Sequence, residues 1–151
     1  MTTTDLYEHD FVAWTERQAR ELRALSANRW NGPLDLEHLA EEIEDLGRSQ
    51  RHACESLLEQ IIIHLLKLHH AKAEAPRTHW ANEIDHFRNE LHRRLTTTIR
   101  QHLEKNLATH YQTAARLTTR ALTREEPETR PDIPGECPWT LDDILNSDDP
   151  L

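Results

Sequence analysis

Glycine is scarce in this sequence, with three residues among 151. That excludes a collagen repeat or a Gly/Ser linker protein, and it leaves no Gly-rich loop able to cradle phosphates. Cysteine is scarcer still. Cys54 and Cys137 form no CxxC pair, so reduced thiols in a cytoplasmic protein are expected. Long hydrophobic runs are missing too. The most apolar stretch, IIIHLLKLHH at Ile61–His70, is broken by His64 and Lys67 and is too short to span a bilayer. The opening residues, MTTTDLYEHDF, combine neither a basic leader nor an apolar run, so no targeting segment is expected. Runs of β-branched residues are few, whereas Leu, Ala, Glu, Arg and His abound. The balance points to helices, and the length is that of one ordinary domain.

The net charge of −9 is unevenly spread. Residues 1–75 hold 14 acids and 8 bases, residues 76–124 hold 4 and 9, and residues 125–151 hold 9 and 1. An acidic tail therefore follows a basic segment. The overall sign argues against free nucleic-acid binding. The tail can instead cover the basic segment or meet a basic partner.

Apolar periodicity predicts a first helix over about 6–27, with Phe11, Trp14, Thr15, Gln18, Leu22 and Leu25 on one face and a capped start at Asp5-Leu6-Tyr7-Glu8. Asn31-Gly32-Pro33 stops it, Gly32 supplying a positive φ. Asp35 caps a second helix whose apolar stripe holds from Leu36 to about Ala73, a rod on the order of 55 Å. Gly47 lies on that stripe, where close approach of another helix, or a bend, would explain it. After a turn around Pro76, a third helix buries Trp80, Ile84, Phe87, Leu91 and Leu95. Thr96–Thr98 weakens it by β-branching. A fourth helix restarts at Thr98 and buries Ile99, Leu103, Leu107, His110, Ala114, Leu117 and Ala121. Beyond Leu122 the prolines forbid helix until Thr140, which caps a short terminal helix at 141–146 anchored by Trp139.

The stretch LAEEIEDLGRSQ, Leu39 to Gln50, crowds Glu41, Glu42, Glu44 and Asp45 into five positions. A step of about 100° per residue sends Glu41 and Asp45 away from the core and Glu42 and Glu44 to opposite flanks. The acids do not converge, so one helix makes no carboxylate cage. Glu37, Glu41 and Asp45 form a single row at i, i+4, i+8, and Arg48 can relieve Glu44 and Asp45. This is a solvated acidic face or a docking face; acid/base or metal work would need another helix.

Histidines offer the metal alternative. Glu83 and His86 give the one Glu-x-x-His pair, where carboxylate-bridged di-iron bundles need two. A divalent site from His79, Glu83 and His86, helped by Glu42 or His64, is the remaining possibility. His64 continues the row Leu36, Ile43, Gln50, Leu57, and with Gln50 it suggests a buried polar layer that would fix helix register. No nucleophile stands in a catalytic context: there is no Gly-x-Ser-x-Gly, and Cys54 lies on a packed face where a thiol is inert. Of the arginines in the basic segment, only Arg116 and Arg120 share a flank, a weak nucleic-acid signal.

Five stretches carry a family likeness: LYEHDFVAW at Leu6–Trp14, LAEEIEDLGRSQR at Leu39–Arg51, HLLKL at His64–Leu68, Trp80, and CPWTLDDIL at Cys137–Leu145. Together they resemble the bacterial proteins catalogued as domain of unknown function twenty-nine. The resemblance covers nearly the whole chain. It implies an all-helical cytoplasmic protein and implies no activity. Two departures stand out, Leu68 where such proteins often have Trp, and Thr96–Thr98 where they often have Ser-Pro.

The sequence therefore predicts an all-α bundle of about four main helices over 1–124, with an acidic Pro-rich tail over 125–151. Its leading functional reading is a non-enzymatic interaction module that binds a protein partner or itself through Glu37, Glu41, Glu44, Asp45 and Arg48, without a cofactor. A metal-binding bundle and a tail-masked nucleic-acid regulator are the alternatives.

Overall fold

The computed structural model describes residues 2–147. Among them are seven α-helices and no strand: α1 Thr3–His9, α2 Phe11–Ala27, α3 Leu36–His70, α4 Arg77–Arg94, α5 Thr97–Lys105, α6 Leu107–Glu125 and α7 Leu141–Asn146. The all-α expectation holds, but two of the four expected helices are divided. The tail's last residues, with Asp148 and Asp149, lie outside the described residues.

Contacts separate two compact units. The first is Met1–Ala53 with Thr96–Gln101; the second is Cys54–Leu95 with His102–Leu151. Helix α3 contributes its acidic half to the first and its apolar half to the second.

In the first unit, capping decides the helix boundaries. Thr2, not Asp5, starts α1: Thr2 Oγ1 accepts from the Asp5 amide at 3.2 Å, and Asp5 Oδ2 accepts from the Thr2 amide at 3.1 Å. Asp10 then divides the expected first helix. Its Oδ1 accepts from the Ala13 amide at 3.1 Å, and its Oδ2 takes the Thr98 amide at 3.1 Å and the Thr98 hydroxyl at 2.8 Å. One buried carboxylate thereby satisfies amides in the first turns of two helices. Helix α5 starts one residue before the expected restart, with Thr96 Oγ1 accepting from the Ile99 amide at 3.2 Å. On α2 the buried positions are Val12, Thr15 and Ala19, a face rotated from the expected one. Phe11 and Trp14 instead stack at 5.7 Å, with Tyr7 edge-on at 5.9 and 5.0 Å.

Asn31-Gly32 does not reverse the chain by a positive φ. Arg29 takes that conformation, at φ 60°, and none of the described glycines does. Gly32 lies against the exposed Trp30 ring: with the ring as it stands, a Cβ there would lie 2.2 Å from it. Asp35 caps α3 as expected, accepting from the His38 amide at 3.3 Å. Gly47 meets the expected close approach, since a Cβ there would lie 2.1 Å from Thr15 Oγ1. That hydroxyl is itself held, donating to the Val12 carbonyl at 2.7 Å.

The second unit holds most of the apolar core. Leu58, Ile61, Ile62, Leu65 and Leu66 of α3 are buried, with Trp80, Ile84 and Leu91 of α4, Leu103 of α5, Tyr111, Ala114 and Leu122 of α6, and Leu141, Ile144 and Leu145 of α7. Each large aliphatic side chain so removed from water contributes about 1.5–3 kcal/mol. His110 is buried as expected, with Nδ1 2.9 Å from Glu59 Oε1. Leu117, expected inside, is exposed. The tail is tied down by backbone contacts. Tyr111 Oη donates to the Pro134 carbonyl at 2.6 Å, and Glu126 accepts from the Lys72 and Ala73 amides at 3.0 and 3.1 Å. Arg88 donates to the carbonyls of Ile144 at 2.8 Å and Ser147 at 2.7 Å, the electronegative end of α7. Thr140 and Asp143 form the reciprocal cap that starts that helix.

An alanine at an ordinary helix-interior glycine stabilises by about 1 kcal/mol. Gly47→Ala should do the reverse, costing about 1–3 kcal/mol by overpacking against Thr15. The midpoint of urea unfolding followed by circular dichroism measures this, and Thr15→Ala in the same chain should recover part of the loss. An unchanged or raised midpoint in Gly47→Ala would contradict the close approach.

Candidate functional site

The acidic half of α3 carries the residues singled out from sequence. Glu37, Glu41 and Asp45 are exposed, as the helical spacing predicts. Glu44 is not part of that solvated row. Arg23 of α2 forks onto it, Nη1 to Oε1 and Nη2 to Oε2, the latter at 3.0 Å. This bidentate pairing holds the Glu44 carboxyl below the ordinary carboxylate range and the Arg23 guanidinium above its own. The sign follows: the pair's contribution is fully present above the usual Glu pKa and is lost as pH falls through the lowered one. Arg48 turns to Asp45, Nη1 to Oδ1 at 2.5 Å, and its charge also helps to lower the Glu44 pKa, so it relieves both expected neighbours. Arg23 Nε also lies 4.0 Å from Glu37.

A cleft of about 210 Å³ opens between α2 and α3 in this unit. Val12, Thr15 and Gly47 line it, with Glu16, Glu44, Arg48 and Arg51 supplying the charge. Two acids and two bases balance, so the cleft concentrates neither sign of ligand.

Apolar exposure is lopsided. Among the described residues the exposed large apolar side chains are Tyr7, Leu25, Trp30, Leu34, Leu39, Leu46 and Leu117. The first six belong to the first unit. Leu39 and Leu46 stand two turns apart on one line of α3, with side chains 39% and 55% exposed. The expected apolar stripe therefore splits in two. Leu36, Ala40 and Gly47 are buried, while Leu39 and Leu46 face out.

The expected polar layer is not formed, because Gln50 is exposed and His64 is half-buried. The Leu36–Ile43–Gln50–Leu57 row has a period of 3.5, whereas a straight helix turns in 3.6, so it drifts off the buried face. His64 Nδ1 lies 2.7 Å from the Gln60 carbonyl of its own helix, and its ring meets Phe87 at 5.4 Å. Burial pushes its pKa down. The metal alternative fares no better. His79 and His86 are exposed, Glu83 is half-buried and Glu42 is exposed on the acidic half of α3. Among the described residues no three His, Cys, Asp or Glu are grouped to hold a metal ion.

Both cysteines are free. Burial pushes the Cys54 thiol up to about 11 and raises that of Cys137 as well. At Cys54 burial outweighs the nearby Arg94 charge, so neither thiol is activated as a nucleophile. None of the described helices is long and apolar enough to cross a membrane.

One feature is hidden in the sequence because Arg124 precedes a proline-rich stretch that forbids helix. Helix α6 runs to Glu125, so Arg124 joins Arg116 and Arg120 at i, i+4, i+8. All three are exposed, and none makes an ion pair or hydrogen bond among the described residues.

These features define an all-helical protein whose chemistry is displayed on helix faces. The chain belongs to the family described as domain of unknown function DUF29, whose model matches residues 6–148. It is also similar to an alpha-helical protein of unknown function from Rhodospirillum rubrum, solved by crystallography. That protein is 32% identical, with a TM-score of 0.79, 94% of this chain and 90% of that one being covered. No curated protein matches the chain.

The buried thiol can be tested directly. At pH 8 a Cys54 with its pKa near 11 holds about 0.1% thiolate. A Cys54-only chain (Cys137→Ser) should react with Ellman's reagent about a hundredfold more slowly when folded than in urea. Equal rates would show that Cys54 is neither packed nor inert.

Proposed function

We propose that this chain is a non-enzymatic interaction module of the bacterial cytoplasm, and that its first unit docks a protein partner. One observation carries the reading: among the described residues, six of the seven exposed large apolar side chains lie in the first unit, which also carries the acidic row Glu37, Glu41 and Asp45. Apolar side chains left in water are what an interface buries, and Trp and Tyr, here Trp30 and Tyr7, are effective anchors when a rim of polar groups surrounds them. Leu39 and Leu46 lie on one side of α3 and the acidic row on another, with Glu42 between them by the helical spacing. The partner this surface fits offers apolar residues flanked by Lys or Arg. The two free thiols are in keeping with a reducing compartment.

Charge reversal at Glu41 and Asp45, or Leu39→Asp with Leu46→Asp, should reduce cross-linked partner recovered from cells at natural expression by about tenfold. Circular dichroism should show unchanged helix content, since all four side chains are exposed. If nothing cross-links above background, or if both variants keep the partner, the reading fails.

A further inference from the structure

We infer that the basic row Arg116, Arg120 and Arg124 on α6 docks a second copy of this chain through that copy's acidic row Glu37, Glu41 and Asp45. The inference rests on the reading of the acidic face as a docking face and names its occupant.

The basic row is a surface that its own surroundings do not neutralise. Residues 107–124 contain no acid, and the one acid of α6, Glu125, lies 3.8 Å from Lys67. Like charges at i, i+4 repel, so an unneutralised row destabilises its helix and is relieved by an incoming anion. Elsewhere in the second unit this relief is internal: Arg93 and Arg94 of α4 lie 3.1 and 3.9 Å from Glu90. On α6 it has to come from outside.

The acidic row of another copy matches in sign and in spacing. Both rows sit at i, i+4, i+8, so successive rungs on each are about 6 Å apart. Rows of this kind incline the same way on every α-helix. Laid face to face, they run parallel when the axes cross at about 50°, the commonest packing class. The acidic row keeps capacity for new donors. Glu41 makes no ion pair among the described residues. Asp45 engages Arg48 through Oδ1 alone, and Glu37 lies only at 4.0 Å from Arg23. Arg48 and Arg23 both act on the row and subtract from it, but Arg23 is forked onto Glu44, which leaves the face acidic overall. Leu117, 40% exposed and next to Arg116, adds apolar surface at the edge of the basic row.

A nucleic acid also offers regularly spaced anions, but its far denser charge is repelled more strongly by a chain of net charge −9 than a second copy is. A second copy brings a short acidic row of matching length. The two rows are different surfaces, so each contact pairs the basic row of one copy with the acidic row of another. Exposed ion pairs are individually weak and screened by salt, so the assembly is reversible and salt-sensitive.

Sedimentation velocity on the full chain tests this. The wild type should sediment as species larger than one chain at roughly 0.05 M salt, with association weakened about tenfold or more at roughly 0.5 M. Arg116→Glu/Arg120→Glu/Arg124→Glu and Glu37→Arg/Glu41→Arg/Asp45→Arg should each be monomeric alone, and their equimolar mixture should associate again. The triple Gln variant of the arginines replaces the Glu variant if circular dichroism shows the latter unfolded. A monomeric wild type, or self-association unchanged by either reversal, overturns the inference. So does retention of a single-stranded oligonucleotide by the wild type and not by the arginine variant, in the absence of self-association. In those cases a cellular partner still lost on Glu41→Lys/Asp45→Lys leaves the docking function standing and removes only the second copy as its occupant.

Discussion

The first unit is organised around one buried carboxylate. Asp10 ends α1, caps α2 through Oδ1, and holds the first turn of α5 through Oδ2. The segment it captures, Thr96–Gln101, is the only part of the later chain that clusters with the first fifty-three residues. A hydrogen bond to a charged group contributes about 1.5–3 kcal/mol, more than the typical neutral bond. Three of them on one side chain do what a hydrophobic core does elsewhere. Ile99 illustrates the dependence: it is buried in a unit whose other buried apolar residues are few and small, chiefly Val12, Ala19, Leu36 and Ala40.

That economy of core has a consequence at the surface. A helix pair held by a close approach at Gly47 and Thr15, by capping, and by the Arg23–Glu44 fork does not need its larger apolar side chains inside. Leu39, Leu46, Leu34, Leu25 and Trp30 are left facing water. The second unit behaves differently. Its half of α3 is apolar over most of its circumference, and α4, α6 and α7 supply Trp80, Ile84, Leu91, Tyr111, Leu122, Ile144 and Leu145 against water. One helix thus serves two regimes: at its C-terminal end burial dominates, and at its N-terminal end charge and exposed leucines dominate.

Much of the fold was legible in the sequence because its signals are local. The stops at Asn28–Pro33 and Pro76, the Asp35 cap, the 141–146 helix with its Thr140 cap, and the packing reason for Gly47 all follow from residues within one turn, or from one apolar face. The failures share a cause. Asp10 was read through as an interior helix position because its second partner, Thr98, lies 88 residues away, and no spacing rule reaches that far. The Gln50–His64 layer failed because a 3.5-residue row was extended through a straight helix. Leu117 was assigned inward by periodicity alone. Ending α6 at Leu122 hid Arg124, since Arg-Glu-Glu before a proline reads as the start of a loop. The acidic row was visible in full, whereas its basic counterpart was visible only as a pair.

On the proposed docking role, the contrast between the two rows bears on what kind of recognition the chain would perform. A buried ion pair must overcome a desolvation penalty of several kcal/mol per ion, so it is made once and kept. Exposed rows such as those on α3 and α6 avoid that penalty, and each rung contributes about 0–1 kcal/mol. Three rungs alone give little affinity against the entropy of association. They give orientation and rate, through a pattern that accepts the opposite sign at the same spacing and rejects its own. Affinity has to come from apolar surface, and on the acidic side that surface is present in Leu39 and Leu46, farther round the same helix. A partner that meets only the acidic row is held weakly and released by salt. A partner that also covers the leucines is held more firmly. The division of α3 into a charged side and an apolar side therefore allows two grades of contact through one helix.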